Sequence, residues 1–395
     1  MQKHKKSNKS FFESLKDADF YSDKLTHIYF YSDVSKESIR DLKAEILKAC
    51  EPVTENGVVK NPKPILLHIN SPGGSAYAGM SSLSLFTECK VPIAVMVDGL
   101  SASAATFISI YAPYRVATPY STCLIHECSG MIIGKESDIK HEMHVIKQMD
   151  KFLNKMYLKH MRITKEELKE LNHHDYLLDS DTCLKHGIFD RIIVPENGRD
   201  LSLKRYNAQN PDLDLPILVL LKKNNINHIN IECMGNDPYT GVKALLQKID
   251  AMVLQDSANV RPVIFYTSYY QCTESLYAEY LPLISKISAL HVPSIGIIDS
   301  IVRLHDILPV LCCTRRVMYE CGQVVIHVMY KQSKAWVFAD AVHNTMLILN
   351  KIKDFLSERT KMPKDMIDNL EKKRWLLSPQ QCLEYGIVHE IIPML

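Results

Sequence analysis

The chain has 395 residues, 46% of them hydrophobic, which is enough for two or three domains that each bury a core. Its 47 basic and 45 acidic residues give a net charge of +2, so no overall charge attracts nucleic acid or an anionic membrane. Eleven scattered cysteines without a CxxC pair, and no secretory leader pattern, predict a cytoplasmic protein. The most apolar region, 91–112, is interrupted by Asp98, Gly99 and three serines, which favours a buried strand and helix over a membrane span.

Predicted strands and helices alternate along the first half of the chain, as in a mainly parallel sheet with helices on its faces. After a basic tail at 1–20, "HIYFYSD" predicts a strand, the following segment a helix, and "PILLHI" a buried strand. "NSPGGSAYAGMSSLSLF" then predicts a glycine turn that leads into a helix. The strand "IAVMV" is followed by "DGLSASAATF", where small residues allow the chain to turn sharply from strand to helix.

A long amphipathic helix is predicted after Lys135. One apolar stripe along it would consist of Ile139, Met143, Ile146, Met149 and Phe152. Such a stripe, if exposed, predicts an oligomer.

The second half of the chain repeats the first. "YLLDSDTCLKHGIFDRII" (176–193) aligns without gaps on "WLLSPQQCLEYGIVHEII" (375–392), and "VPIAVMVD", "SAYA" and "CLIH" have counterparts in "VPSIGIID", "SLYA" and "VVIH". We therefore predict a tandem duplication, with a flexible tail at 1–20, a first domain at 21–195, a linker at 196–216 and a second domain at 217–395.

Three residues of the first half are candidates for nucleophilic catalysis. Ser103 would lie at the N-terminal end of a helix, His126 ends the apolar run "TCLI", and Asp175 precedes the last helix. A serine hydroxyl attacks only when a base takes its proton, and the base needs an acid to orient it. Taken singly, the same residues suit a helix cap, a core histidine and a turn, so their joint arrangement carries the hypothesis.

Residues 20–195 resemble the Clp protease proteolytic subunits, which are self-compartmentalised serine peptidases. The resemblance is carried by "INSPGGSAYAGMSS", "GLSASAATF", "CLIHEC", the long handle helix and the spacing from Asp175 to "GIFD". It implies two crotonase-like domains of one fold, with Ser103 as nucleophile, His126 as general base and Asp175 as the acid that orients it.

The resemblance also implies an oxyanion hole made by the backbone N–H groups of Gly74 and Ala104. We expect glycine at position 74 because a Cβ atom would block the approach of a substrate strand. Ala104 and Ala105 replace the larger residue and the glycine that usually follow the nucleophile in this family. The resemblance therefore does not specify the substrate pocket.

The second half lacks this machinery. The repeat offset puts Leu304 opposite Ser103, Arg374 opposite Asp175 and "QCTE" (271–274) near "SPGG", so we interpret the second domain as degenerate and the retained His327 as structural. His305 and Asp306 are neighbours of Leu304, but adjacent helical residues face different directions and are not expected to pair.

The resemblance implies unfolded polypeptide substrates, an oligomeric chamber and an AAA+ unfoldase that alone uses ATP, without a cofactor or metal in this chain. Two alternatives stay open: a non-catalytic assembly or adaptor subunit, and an acyl-CoA enzyme of the crotonase fold, which would also use paired backbone N–H groups. Signal peptide peptidases also pair two related domains, but they use a Ser-Lys dyad, and no lysine here is suitably placed.

Overall fold

The structure is a computed structural model that describes residues 9–55, 58–129, 132–194, 217, 227–231, 238–254, 262–267, 277–290, 292–328 and 338–393. The described chain forms two compact units. The first unit lies within 1–16, 24–194 and 334–344, and the second within 17–23, 195–333 and 345–395.

The first unit is an α/β structure. Its described strands are β1 (Thr26–Phe30), β2 (Val53–Glu55), β3 (Val58–Lys60), β4 (Ile65–Ser71), β5 (Ile93–Ala102), β6 (Arg115–Ala117), β7 (Thr122–Leu124), β8 (Leu177–Asp179) and β9 (Arg191–Ile192). Its described helices are α1 (Lys36–Ala49), α2 (Ala76–Ser81), α3 (Leu85–Glu88), α4 (Ala105–Tyr111), α5 (Glu136–His160), α6 (Lys165–Asn172) and α7 (Ser180–Lys185), with a 3-10 turn at Ser82–Ser84.

A parallel sheet in the order β1-β4-β5-β6-β9 forms the centre of the first unit. All seven residues of β4 are buried, as expected for a strand covered on both faces. The end of β5 leaves β6 and pairs instead with β7, which pairs antiparallel with β8. This small extension carries the candidate site, as described below.

The predicted apolar stripe on helix α5 is only partly buried. Its C-terminal half buries Met149 together with Leu153, Met156 and Tyr157. Met143 and Phe152, which were predicted on the same stripe, are 46% and 45% exposed. The helix therefore packs with the face that carries Leu153, and the oligomer expected from the exposed part of the stripe stays a prediction.

The second unit is also built on a parallel sheet. Its described strands are β10 (Asn227–Ile231), β11 (Val263–Thr267), β12 (Ser294–Ile298), β13 (Ile301–Arg303), β14 (Arg315–Tyr319), β15 (Gln323–Ile326), β16 (Trp375–Leu377) and β17 (Glu390–Ile392). The described helices of the C-terminal half of the chain are α8 (Pro238–Leu254), α9 (Tyr277–Ser288), α10 (Leu304–Val310), α11 (Phe338–Arg359), α12 (Lys364–Asp368) and α13 (Pro379–Glu384). The residues of α11 up to Asn344 belong to the first unit, and the second unit includes a 3-10 turn at Asp17–Tyr21.

The main sheet of the second unit has the order β10-β11-β12-β14-β17, and β13-β15-β16 form a separate small sheet. The registers repeat those of the first unit at a nearly constant offset in sequence. Corresponding pairs are Met96↔Val116 and Ile297↔Val317, Ala102↔Leu124 and Arg303↔Val325, and Cys123↔Leu178 and Val324↔Leu377. The two units thus share strand order and pairing.

The predicted α/β class with mainly parallel sheets flanked by helices is confirmed. The predicted domains are continuous in sequence, whereas the observed units exchange 17–23 and 334–344, and the predicted linker 196–216 lies outside the described residues. Among the described helices, none combines the length and apolar character required to cross a bilayer.

Candidate active site

Ser103 lies on a strained turn between β5 and α4. Its φ of +51° is the only positive φ of a non-glycine residue in the described chain, and such a backbone conformation persists only where surrounding contacts enforce it. The Ser103 N–H donates to Leu124 O (2.8 Å), and the Ser103 carbonyl accepts from the Thr106 N–H (2.9 Å) and hydroxyl (2.6 Å). These bonds fix the backbone of the turn.

The small hydroxyl residues around this turn have distinct structural tasks. Thr106 Oγ1 is 2.7 Å from the Tyr157 hydroxyl on α5, and Ser101 Oγ is 2.9 Å from Ser109 Oγ in the core. Burial raises the pKa of Tyr157, so this hydroxyl stays protonated. The contact between Thr106 and Tyr157 was not predictable from the sequence, because residues 51 positions apart give no local signal of contact.

Strand pairing brings the three candidate side chains together. The register Ala102↔Leu124 places His126 beside Ser103, and the antiparallel register Leu124↔Leu177 places Asp175 on the far side of His126. His126 Nε2 is 2.8 Å from Ser103 Oγ, and His126 Nδ1 is 2.6 Å from Asp175 Oδ1.

The tautomer of His126 follows from its two partners. An ionised carboxylate only accepts hydrogen bonds, so Nδ1–H donates to Asp175 and the unprotonated Nε2 accepts from the Ser103 hydroxyl. The His126 side chain is 22% exposed and that of Asp175 is 49% exposed. In this tautomer the unprotonated Nε2 faces the Ser103 hydroxyl.

The glycine loop before α2 packs against the serine turn. A Cβ atom on Gly73 would lie 2.7 Å from Ser103 Cβ, and the loop is fixed by hydrogen bonds of Val34 with the Gly73 carbonyl (2.7 Å) and the Ser75 N–H (2.8 Å). Within the described residues, neither the Gly74 nor the Ala104 N–H has a hydrogen-bond acceptor. Both groups are therefore available as donors beside the serine.

The structure gives glycine at position 74 a reason that lies within the protein itself. Gly74 has φ +142°, and a Cβ atom there would lie 2.5 Å from the Val34 carbonyl oxygen. The Val34 backbone alone therefore excludes a larger residue here, and the effect of a Cβ atom on a substrate strand stays a prediction.

Two residues far away in sequence bind the segment that carries Asp175. Asp340 Oδ2 accepts from the Asp175 N–H (2.9 Å), and Asn344 Nδ2 donates to the Asp175 carbonyl (2.6 Å). Asn344 Oδ1 also accepts from the Leu177 N–H (2.7 Å). All of these residues belong to the first unit, and no sequence signal pointed to them.

The corresponding positions of the second unit differ chemically. Leu304 starts α10 and is 2% exposed, and Arg374 is exposed. His327 Nδ1 is buried and has no hydrogen-bond partner among the described residues. The segment 271–274 lies outside them.

The prediction that His305 and Asp306 do not pair is wrong. His305 Nε2 is 3.3 Å from Asp306 Oδ1, because Asp306 folds back to accept the Arg303 N–H (2.9 Å) at the start of α10. Burial lowers the pKa of His305. The neighbouring Leu304 offers no hydroxyl to this pair.

No group of three or more His, Cys, Asp or Glu side chains suited to a metal ion occurs in the part of the chain that the structure describes. The site consists of a serine on a strained strand-to-helix turn, a histidine and an aspartate, joined by hydrogen bonds. This arrangement on an α/β sheet is the one found in serine hydrolases.

The comparison with family models specifies the class further. Residues 24–196 match the family model described as Clp protease. The predicted family relationship is confirmed for the first unit.

Proposed function

We propose that the first unit is a serine endopeptidase in which Ser103, His126 and Asp175 form the catalytic triad. The observation that carries the proposal is the hydrogen-bonded chain through His126, with distances of 2.8 Å to Ser103 and 2.6 Å to Asp175. Both distances lie within the range of a nucleophile and base ready for proton transfer.

In this mechanism His126 takes the Ser103 proton as Oγ attacks the peptide carbonyl, and then gives it to the leaving amine. Asp175 holds the Nδ1–H tautomer and stabilises the imidazolium. The N–H groups of Gly74 and Ala104 bind the tetrahedral oxyanion, and one such donor typically contributes about 3–4 kcal/mol to transition-state stabilisation. Water then hydrolyses the acyl-enzyme by the same proton relay.

The substrates we propose are unfolded polypeptides that an AAA+ unfoldase delivers to an oligomeric chamber, with ATP used by the unfoldase only. Membership of the Clp protease family supports this proposal. Exposed apolar side chains near and on α5 also support assembly, since Ile133 is 86% and Met143 46% exposed.

We further propose that the second unit is a degenerate copy of the first. The equal strand order and the repeated registers support a common origin. Leu304 at the nucleophile position supports a role in assembly instead of catalysis. A non-catalytic role for the whole chain is the second candidate function. The two candidates differ in whether Ser103 is an activated nucleophile.

A fluorophosphonate probe separates these candidates, because it reacts with an activated serine. We expect the wild type and the exposed-serine control Ser137→Ala to be labelled, and Ser103→Ala to remain unlabelled. Absence of labelling in the assembled wild type would contradict the peptidase proposal and favour an adaptor. Calorimetric titration with coenzyme A tests the acyl-CoA alternative, for which we expect no binding.

A further inference from the structure

The catalytic acid lies in a short connection whose backbone is held from outside. Asp175 falls between the end of α6 at Asn172 and the start of β8 at Leu177. Both backbone polar groups of Asp175 are bound by the first turns of α11: the N–H by Asp340 and the carbonyl by Asn344. Asn344 also accepts the Leu177 N–H, so one helix face contacts the whole connection.

The spacing of the two residues explains how one helix does this. Asp340 and Asn344 are four residues apart and therefore lie on the same face of α11. Asp340 is in the first turn, where a negative charge is favoured by the helix dipole. Its Oδ1 is also 3.3 Å from His174 Nδ1, so a single carboxylate binds two consecutive residues.

Aromatic contacts extend the same interface. The Tyr176 ring stacks on His174 with a centroid distance of 4.3 Å, and it contacts the His343 ring at 4.4 Å. Residues on both sides of Asp175 are thus fixed against α11. In contrast, the Asp175 carboxylate itself is about half exposed, so its position depends on its backbone more than on packing around the side chain.

We infer that Asp340 and Asn344 are positioning residues for the proposed peptidase reaction. They fix the backbone from which the Asp175 carboxylate reaches His126 Nδ1, and they touch neither substrate nor the reacting atoms. The inference rests on the proposed function and adds that the active site of the first unit requires residues from the C-terminal part of the same chain. A displacement of about 1 Å at a catalytic group can reduce the rate about a hundredfold.

Asn344→Ala is the direct test in the full-length protein. Alanine favours the helix more than asparagine does, so the substitution removes two side-chain hydrogen bonds without weakening α11 itself. The matched control is Asn350→Ala, which changes an exposed asparagine of the same helix. Asp340→Asn is the conservative variant, because its amide oxygen still accepts the Asp175 N–H, whereas Asp340→Ala does not.

The readouts are the fluorophosphonate labelling rate and the kcat and KM for a short peptide. We expect Asn344→Ala to reduce the labelling rate and kcat about tenfold to a hundredfold with KM changed less than about threefold. Asp340→Ala should behave alike, while Asp340→Asn recovers most of the rate and Asn350→Ala matches the wild type.

Two failures are distinguishable. Equal labelling rates in wild type, Asn344→Ala and Asp340→Ala would overturn the positioning role while leaving the peptidase proposal intact. No labelling of the wild type would overturn the peptidase proposal and the inference with it. A rate loss in Asn344→Ala accompanied by an equal loss in Asn350→Ala would show a general effect on α11 and would also overturn the inference.

Discussion

Replacing His126 by alanine removes both hydrogen bonds that connect Ser103 to Asp175, whereas replacing His327 removes no bond of this kind. His126 contacts Ser103 Oγ at 2.8 Å and Asp175 Oδ1 at 2.6 Å. His327 Nδ1 has no partner within the described chain, and Leu304 stands at the position corresponding to the serine. The two substitutions therefore test whether hydrolysis belongs to the first unit alone.

The rate losses expected for the two substitutions differ by several orders of magnitude. Loss of a triad histidine lowers the rate about 10⁴-fold or more, which corresponds to about 5.5 kcal/mol of transition-state stabilisation. The oxyanion donors at Gly74 and Ala104 would remain and provide the residual rate. For His327→Ala we expect a change of at most about twofold, or about 0.4 kcal/mol.

The assay is steady-state cleavage of an internally quenched peptide by protein whose assembly has been verified by light scattering. Verification is needed because His327 lies partly buried and its loss creates a small cavity. If correctly assembled His327→Ala lost activity as completely as His126→Ala, the second unit would take part in the chemistry and its assignment as a degenerate copy would be wrong.

Three other predictions concern stability, thiol reactivity and assembly. Arg115→Ala should lower the free energy of unfolding by about 3–5 kcal/mol, because it leaves the nearly buried Asp190 without its bidentate partner. The control Arg40→Ala, at an exposed ion pair, should lower it by less than about 1 kcal/mol. Urea unfolding measures both variants, and equal losses would contradict the argument. Burial raises the pKa of Cys382 to about 12, so at pH 8.5 this thiol stays neutral and iodoacetamide should modify exposed Cys321 before Cys382. Mass spectrometry of the modified peptides tests this order, and modification of Cys382 before Cys321 in the folded protein would refute it. Met143→Glu places a charge on an exposed apolar side chain and should shift the assembled particle toward smaller species, whereas the neighbouring control Glu142→Gln should not. Size-exclusion chromatography with light scattering measures the particle size. A wild type that is a monomer of about 45 kDa at micromolar concentration would contradict the assembly proposal.

The order of strands and helices was predictable from the sequence because it depends on local patterns. The buried run "PILLHI", the glycine turn after it and the strand "IAVMV" specify β4, the loop and β5 within a few residues of each other. Ser103, His126 and Asp175 were identifiable for the same reason, since each lies at the end of an element that the sequence marks. Their proximity then follows from parallel pairing of β5 with β7 and antiparallel pairing of β7 with β8.

Only the tertiary structure decided which distant residues are in contact and which face of each helix is packed. The periodicity of α5 allowed a stripe with Phe152, but packing selected the face with Leu153, because a helix with apolar residues on two faces buries the one that its neighbours fit. The strain at Ser103 and the clash that requires glycine at 74 arise from backbone atoms of other segments. The contacts of Asp340 and Asn344 with Asp175 span 165 and 169 residues, a separation at which polar residues carry no pattern that identifies their partners. The sequence by itself therefore determined the elements and the candidate site residues. The tertiary structure decided what holds those residues in place, because long-range packing depends on the shape of the whole unit.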